Sequence, residues 1–143
     1  MSDCMENCPF CRVAAGVGLA RVVKRWNGAT AFFPLSPATL GHTLLIPNMH
    51  IPDIWSLDVE TARQLSVYSL ELANVVNATL SPDGMNIINS NGGAASQTVG
   101  HLHIHFVPRW QDDRMGEIWP KDRDWPENEL DGLAAKLSRE LRL

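Results

Sequence analysis

Residues 100–107 read Gly100-His101-Leu102-His103-Ile104-His105-Phe106-Val107, so polar and apolar side chains alternate along the run. Alternation with a period of two is typical of a β-strand that has one face in the core. The predicted strand therefore carries three imidazoles on one face, with about 6.6 Å between alternate Cα atoms. Its apolar side chains enter the core from the opposite face, and Pro108 is expected to end the strand.

Turn and capping signals on both sides of this strand predict the other elements. Asn27-Gly28 between two strand-like runs favours a tight hairpin, because both turn positions take a positive φ. Further strands are predicted over residues 20–26, 29–33, 42–46 and 85–89, and helical spacing predicts two main helices, over residues 56–80 and 130–141. The expected fold is α+β, a five-stranded, mainly antiparallel and meandering sheet packed with two main helices.

The length of 143 residues suits one domain with one core. We expect residues 1–143 to form that domain, with its core over residues 8–109 and a Trp-rich segment and helix over 110–143. The part between residues 109 and 126 carries no clear pattern.

The charge and hydropathy patterns exclude several classes of protein. Twelve basic and sixteen acidic residues give a net charge of −4, which argues against broad nucleic-acid binding but permits a small anionic ligand. No apolar run reaches the roughly 18 residues that span a bilayer. The acidic, polar start of the chain is unlike a secretory signal, so we expect a cytoplasmic protein.

The three-histidine face has more than one interpretation. It could be a solvent face with no special role, a single structural feature, or a three-histidine metal site. The loop Asn91–Gly100 leads directly into the strand and is rich in Gly, with Gln97 and Thr98 as side-chain donors. Such a loop suits a phosphate, and it lacks the Gly-Lys-Ser/Thr pattern of a P-loop.

Three blocks of the sequence resemble the histidine-triad (HIT) family. The first is Gln97-Thr98-Val99-Gly100-His101-Leu102-His103-Ile104-His105, which resembles the family signature and its approach loop. The second is Gly41-His42-Thr43-Leu44-Leu45-Ile46-Pro47-Asn48-Met49-His50, which resembles the second conserved block. The third is Cys8-Pro9-Phe10-Cys11, which resembles the cysteine pair of the zinc-bearing microbial members.

The resemblance implies a homodimer that acts on nucleotides through a covalent nucleotidyl-histidine. His103 would be the nucleophile, in keeping with the reactivity of neutral imidazole near pH 7. His105 would contact the phosphate or protonate the leaving group. Ser90, Gln97 and Thr98 would bind phosphoryl oxygens with the backbone N–H of His103. The substrate would be a nucleoside phosphoramidate, an adenylylated amine or a dinucleoside polyphosphate.

Cys8 and Cys11 have the Cys-x-x-Cys spacing of a zinc knuckle. The resemblance supplies His50 and His101 as the remaining ligands, and four protein ligands make a closed, structural Zn²⁺ site. The alternative is a pair of buried thiols. Cys4 matches no motif and is expected to be a free thiol.

Two positions depart from the family pattern, and they keep rival functions open. Pro34 stands where many relatives place an Asp that binds ribose hydroxyls, and Ser90 stands where many place an Asn. One rival is a nucleotide-binding regulatory module without turnover. Another is a metalloenzyme that uses the three histidines of the strand as ligands. His42 is expected to be a strand-end residue, and the later tryptophans to line a base or to pack: Trp110, Trp119 and Trp125.

Overall fold

A computed structural model describes residues 6–142, so Cys4 lies outside the described residues. Within that range five strands form one antiparallel sheet. The strands are β1 (Arg21–Trp26), β2 (Ala29–Phe33), β3 (Thr43–Pro47), β4 (Gly84–Asn89) and β5 (Ile104–Arg109). The helices are α1 (Pro9–Ala14), α2 (Val59–Leu80) and α3 (Glu127–Leu141). The predicted fold class is confirmed, and none of these helices is long and apolar enough to cross a membrane.

The strand order across the sheet is β1-β2-β3-β5-β4. The first three strands form the expected meander, with the hairpin at Gly28, whose φ is +84°. After β3 the chain crosses the sheet through α2 and returns in β4 at the far edge, and β5 then inserts between β3 and β4. The simple meander therefore ends at β3, and the insertion gives β5 a central position.

Side-chain alternation divides the sheet into two covered faces. Leu45, Leu102 and Phe106 pack against α2 in one buried cluster. Phe32 and Leu44 pack against α1 in a second cluster. Burying a large apolar side chain contributes roughly 1.5–3 kcal/mol, so both faces add to stability. Since Leu44 lies directly opposite His105 in the β3–β5 register, the histidines share the face covered by α1.

The histidine strand differs from its prediction at both ends. The ladder of β5 starts only at Ile104, so His101 and His103 lie in extended chain before it. Pro108 does not end the strand, which continues to Arg109. The reason lies in the pairing: β3 covers β5 only as far as Phe106. Beyond it, on the β3 side of β5, the Pro108 carbonyl accepts a hydrogen bond from Thr39 Oγ1 at 2.7 Å, so no β3–β5 ladder bond needs the missing N–H.

The structure confirms the two predicted long helices and adds a short one. α2 begins after Asp58, which caps it by accepting from the Thr61 N–H at 3.0 Å. α3 forms as expected, but none of its described residues is buried. α1 was absent from the prediction because six residues give too short a periodicity; Cys8 at its N-cap and Pro9 at its start are its local signals.

Candidate functional site

Four side chains from three distant segments meet at the start of α1. Cys8 and Cys11 come from α1 and its cap, His50 follows β3, and His101 precedes β5. Their ligand atoms all lie within 4.8 Å of one another. His101 Nδ1 lies 3.5 Å from Cys8 Sγ and 3.6 Å from Cys11 Sγ, and His50 Nδ1 lies 3.3 Å from Cys11 Sγ. The structure thus brings together the four residues expected to bind zinc.

The donor atoms have the spacing of a tetrahedral metal site. Ligands at Zn–S and Zn–N distances of about 2.3 and 2.0 Å stand roughly 3.3–3.8 Å apart. His101 Nε2 donates to the Pro47 carbonyl at 2.8 Å, which leaves the Nδ1 lone pair directed at the sulfurs. Burial lowers the pKa of His101 to about 4, so the ring is neutral at pH 7, as a metal ligand must be.

His103 is buried beside this cluster, and its tautomer is fixed. Its Nδ1 lies 2.7 Å from the carbonyl oxygen of His101. A carbonyl only accepts, so Nδ1 carries a proton, and in the uncharged ring the lone pair lies on Nε2. Phe10 of α1 packs edge-on against His103 and against His101, with ring centroids 5.0 and 6.0 Å apart. The same phenyl ring therefore orients both imidazoles.

His105 is joined to His42, which the sequence interpretation treated only as a strand-end residue. The Ala38 N–H donates to His42 Nδ1 at 3.0 Å, so the His42 proton is on Nε2. That Nε2 lies 2.9 Å from His105 Nδ1 and donates to it, which leaves the proton of neutral His105 on its own Nε2. Burial lowers the pKa of His42, and burial with nearby His103 and His42 lowers that of His105 to about 4.

No feature of the sequence alone points to this pair, because 63 residues separate its members. The contact depends on the β3–β5 register, in which His105 faces Leu44, two residues beyond His42. With an uncharged ring at each position, His103 and His105 together present one nitrogen lone pair and one N–H donor, with ring centroids 4.9 Å apart. Such an arrangement can attack an electrophilic centre and donate to an oxygen or nitrogen bound to it.

The approach loop is held by its own side chains. Gln97 Oε1 accepts from the Gly92 N–H at 2.8 Å, and Gln97 Nε2 donates to the carbonyls of Pro52 and Val99 at 2.8 and 3.0 Å. The Gln97 amide thus shapes the loop, and its contact with a phosphoryl oxygen stays a prediction. Thr98 is exposed on the same loop, and Ser90 is half-buried just after β4.

A chain of amides supports the strand behind His103. Asn89 Nδ2 donates to the His103 carbonyl at 3.1 Å, and Asn89 Oδ1 accepts from Asn91 at 2.7 Å. Asn91 Oδ1 in turn accepts from the Ile54 N–H at 2.7 Å. Neither asparagine was among the expected site residues. Asn89 contacts the backbone of the histidine segment directly, and Asn91 supports it through Asn89.

The fold and this cluster define a small α+β domain with a histidine segment anchored beside a Cys₂His₂ set. The HIT domain family model matches residues 18–112. "Protein hit" of Bacillus subtilis is 32% identical over 140 residues, covering 96% of this chain and 97% of its own length. The chain belongs to the HIT domain family.

Further relatives resemble nearly the whole chain. The structure of SMU.412c from Streptococcus mutans superimposes with a TM-score of 0.89 at 33% identity, covering 99% of this chain and 89% of that one. A zinc-bound histidine triad family protein from Mycobacterium smegmatis has a TM-score of 0.68 at 31% identity, covering 94% and 97%. Adenosine 5′-monophosphoramidase hnt1 of Schizosaccharomyces pombe is 28% identical, covering 95% and 99%.

Proposed function

We propose that this protein is a nucleotide hydrolase or transferase in which His103 Nε2 attacks the α-phosphorus of a bound nucleotide. The observation that carries the proposal is the 2.7 Å hydrogen bond from His103 Nδ1 to the His101 carbonyl. It fixes the free lone pair on Nε2, the tautomer that an uncharged nucleophile needs. The same carbonyl stabilises the positive charge that the ring gains when Nε2 bonds to phosphorus.

The reaction would proceed in two displacements. In the first, the Nε2–P bond forms as the bond from phosphorus to the leaving nitrogen or oxygen breaks. The leaving group departs with its electron pair and accepts a hydrogen bond from His105 Nε2–H, and a leaving amine takes its proton from solvent water. In the second, water attacks phosphorus and releases a proton to solvent, the Nε2–P bond breaks, and His103 returns to its neutral form. An amine or alcohol acceptor in place of water makes the same step a transfer.

The leaving group would be an amine or a nucleotide. The fission-yeast relative is named as an adenosine 5′-monophosphoramidase, which supports a nucleoside phosphoramidate or an adenylylated amine as substrate. A dinucleoside polyphosphate offers the same electrophilic phosphorus. Thr98, Ser90 and the His103 backbone N–H are the donors proposed for the phosphoryl oxygens, with Gln97 once its loop contacts open.

We propose that Cys8, Cys11, His50 and His101 hold one structural Zn²⁺. The donor spacing fits, and a zinc-bound relative supports the choice of metal. Bound zinc would supply a rigid cross-link between α1 and the histidine segment, with no open position for substrate. We propose a cytoplasmic location, where cysteine thiols are kept reduced. We further propose that residues 1–143 act as one domain and that two copies form a homodimer.

The test is turnover of a nucleoside phosphoramidate by the wild type and by His103→Ala, with Ile104→Val as a control on the opposite face. We expect His103→Ala to lose several powers of ten in kcat, of the order of 10³ or more, while Ile104→Val stays near wild type. Rapid quenching should trap a nucleotide on His103 that is stable in base and labile in acid.

Two results would favour the rivals. Tight nucleotide binding by calorimetry with no turnover of any substrate would indicate the regulatory module. Turnover that disappears on chelation while the protein stays folded, with no adduct on His103, would indicate a metalloenzyme that uses the three histidines.

A further inference from the structure

Residues 51–54 form a strap between the Cys₂His₂ set and the approach loop. The strap directly follows one histidine of the set, and its Ile51 carbonyl accepts from the Leu102 N–H at 2.6 Å. Leu102 in turn follows the other histidine of the set. At the far end of the strap, the Ile54 N–H donates to Asn91 Oδ1 at 2.7 Å, where the loop begins. Both histidines of the set are thus connected to the loop by short stretches of chain and two hydrogen bonds.

The approach loop depends on such outside contacts for its shape. Residues 92–96 are all exposed, so no buried side chain anchors this stretch. Ser96 has a φ of +69°, a left-handed conformation that is unfavourable for serine and must be held by its surroundings. Gln97 also reaches the strap, through Nε2 and the Pro52 carbonyl at 2.8 Å, but the same amide is a proposed phosphate donor. Asn91 has no such second role, so its contact can remain when a ligand binds.

Asn91 also connects the strap to the backbone of the proposed nucleophile. Its Nδ2 donates to Asn89 Oδ1 at 2.7 Å, and Asn89 Nδ2 donates to the His103 carbonyl at 3.1 Å. The Asn91 amide therefore joins the strap, the end of β4 and the histidine segment. Because this amide uses both its acceptor and a donor, a shift of the strap would displace the start of the loop and His103 together.

We infer that Asn91 is a positioning residue through which Zn²⁺ and a phosphate-bearing ligand bind cooperatively. The inference rests on the proposed function, which supplies both the zinc site and the phosphate site. Metal binding fixes His50 and His101, the strap begins directly after His50, and Asn91 extends that order to the loop. A ligand that meets an ordered loop loses less conformational entropy on binding. Because coupling between two sites is reciprocal, the bound phosphate should raise the affinity for the metal by the same factor.

The experiment measures the Zn²⁺ dissociation constant of the loaded protein by competition with a chelator, with and without saturating adenosine 5′-monophosphate. In the wild type we expect the nucleotide to lower this constant by about fivefold or more, the usual size of coupling between two sites. Asn91→Leu keeps the size of the side chain but has no amide, and its constant should change by less than about twofold. Asn91→Asp keeps an acceptor for the Ile54 N–H and should retain part of the effect.

Thr98→Val is the matched control on the same loop. It removes a proposed phosphate donor but leaves Asn91 in place, so it should weaken nucleotide binding and retain the effect of the nucleotide on zinc affinity. Hydrogen exchange of the loaded, ligand-free protein gives a second readout. Exchange of the backbone amides of residues 92–100 should be at least about tenfold faster in Asn91→Leu than in the wild type and in Thr98→Val, with α2 unchanged.

A wild-type zinc affinity that does not respond to the nucleotide would overturn the inference, and so would a full effect in Asn91→Leu. The second result is also the one expected if metal loss simply unfolds the whole protein. If Asn91→Leu does not fold, Asn91→Ala takes its place. If the nucleotide does not bind to the loaded protein, the proposed function fails, and unchanged loop exchange in Asn91→Leu would overturn the inference as well. If no zinc is bound, the zinc site and the inference fail together, while turnover by His103 is still tested separately.

Discussion

Four histidines in this small site have different hydrogen-bond partners. His101 donates to Pro47 and faces two sulfurs, while His103 donates to the His101 carbonyl. His42 accepts from Ala38 and donates to His105. The partner of one ring nitrogen determines which role the other can take, so one side-chain type suits the proposed roles of ligand, nucleophile, donor and positioning residue.

The first residue-scale prediction concerns His42 as a positioning residue. His42→Phe removes the donor to His105 Nδ1, so His105 can take its proton on Nδ1 and lose it from Nε2. We expect kcat to fall about 10–100-fold with KM little changed, since a supporting group contributes less than the hydrogen-bond donor that it positions. Nitrogen NMR should show the changed tautomer of His105.

His42→Gln provides the matched variant, because its amide N–H can replace the donor and should restore part of kcat. A purely structural role would lower the melting temperature without changing the tautomer of His105.

The pH dependence of folding stability follows from the direction of the His105 pKa shift. The pKa of His105 is lowered from its ordinary 6.5 to about 4. His105 therefore favours the folded state above pH 6.5, and this contribution is lost as the pH falls toward 4.

The second residue-scale prediction concerns the metal. Protein prepared under reducing conditions should contain one Zn²⁺ per chain by elemental analysis, and Cys8→Ser should lower both zinc content and stability. A loss of about 2 kcal/mol or more corresponds to a fall in Tm of roughly 6 °C or more. Met49→Ala is the control, since Met49 is exposed beside His50. A metal-free wild type with an unchanged Tm would contradict the zinc site.

At the scale of elements, Gly41 lies just before β3 and packs against Leu80 at the end of α2. Its φ is +88°, and a Cβ there would collide with the Leu80 side chain. Gly41→Ala should cost about 2–4 kcal/mol, from left-handed strain plus overpacking. Gly132→Ala is the control, because Gly132 lies inside α3 with open space around it and should change stability by less than about 1 kcal/mol. Urea unfolding measures both, and equal effects would contradict the packing argument.

The elements could be predicted where the period is long or the turn is specific. The Asn27-Gly28 hairpin, α2 and the alternation from His101 to Phe106 all follow from local patterns. The late start of β5, the continuation through Pro108 and the insertion of β5 beside β3 do not, because each depends on which strand lies alongside. The His42–His105 contact could not be predicted from the sequence for the same reason, because it depends on the β3–β5 register.

At the scale of the whole molecule, apolar side chains remain exposed on two helices. On α2 the outward Val67 and Leu70 are 64% and 67% exposed. On α3 the exposed set is Leu130, Leu133, Leu137 and Leu141. Monomeric proteins rarely leave apolar faces of this extent open. These faces, with exposed Trp119 and Trp125, support the proposed homodimer.

We expect sedimentation to give a dimer at tens of micromolar, where a standard-size interface holds. Leu70→Asp combined with Val67→Asp should shift the protein toward the monomer. Ala15→Asp is the control, because Ala15 caps α1, which packs on the opposite face of the sheet from α2. A wild type that sediments as a monomer at those concentrations would count against the assembly.

The two-residue alternation through the histidine segment also bears on how this gene can change in length. His101 and His103 face the metal set and Phe10, while Leu102 and Phe106 fill the core on the other side. One codon gained or lost between His101 and His105 would therefore exchange the faces of the residues beyond it, turning imidazoles toward the core and apolar side chains toward the histidine face. Residues 110–126 contain no helix or strand, so insertions there leave every histidine where it is.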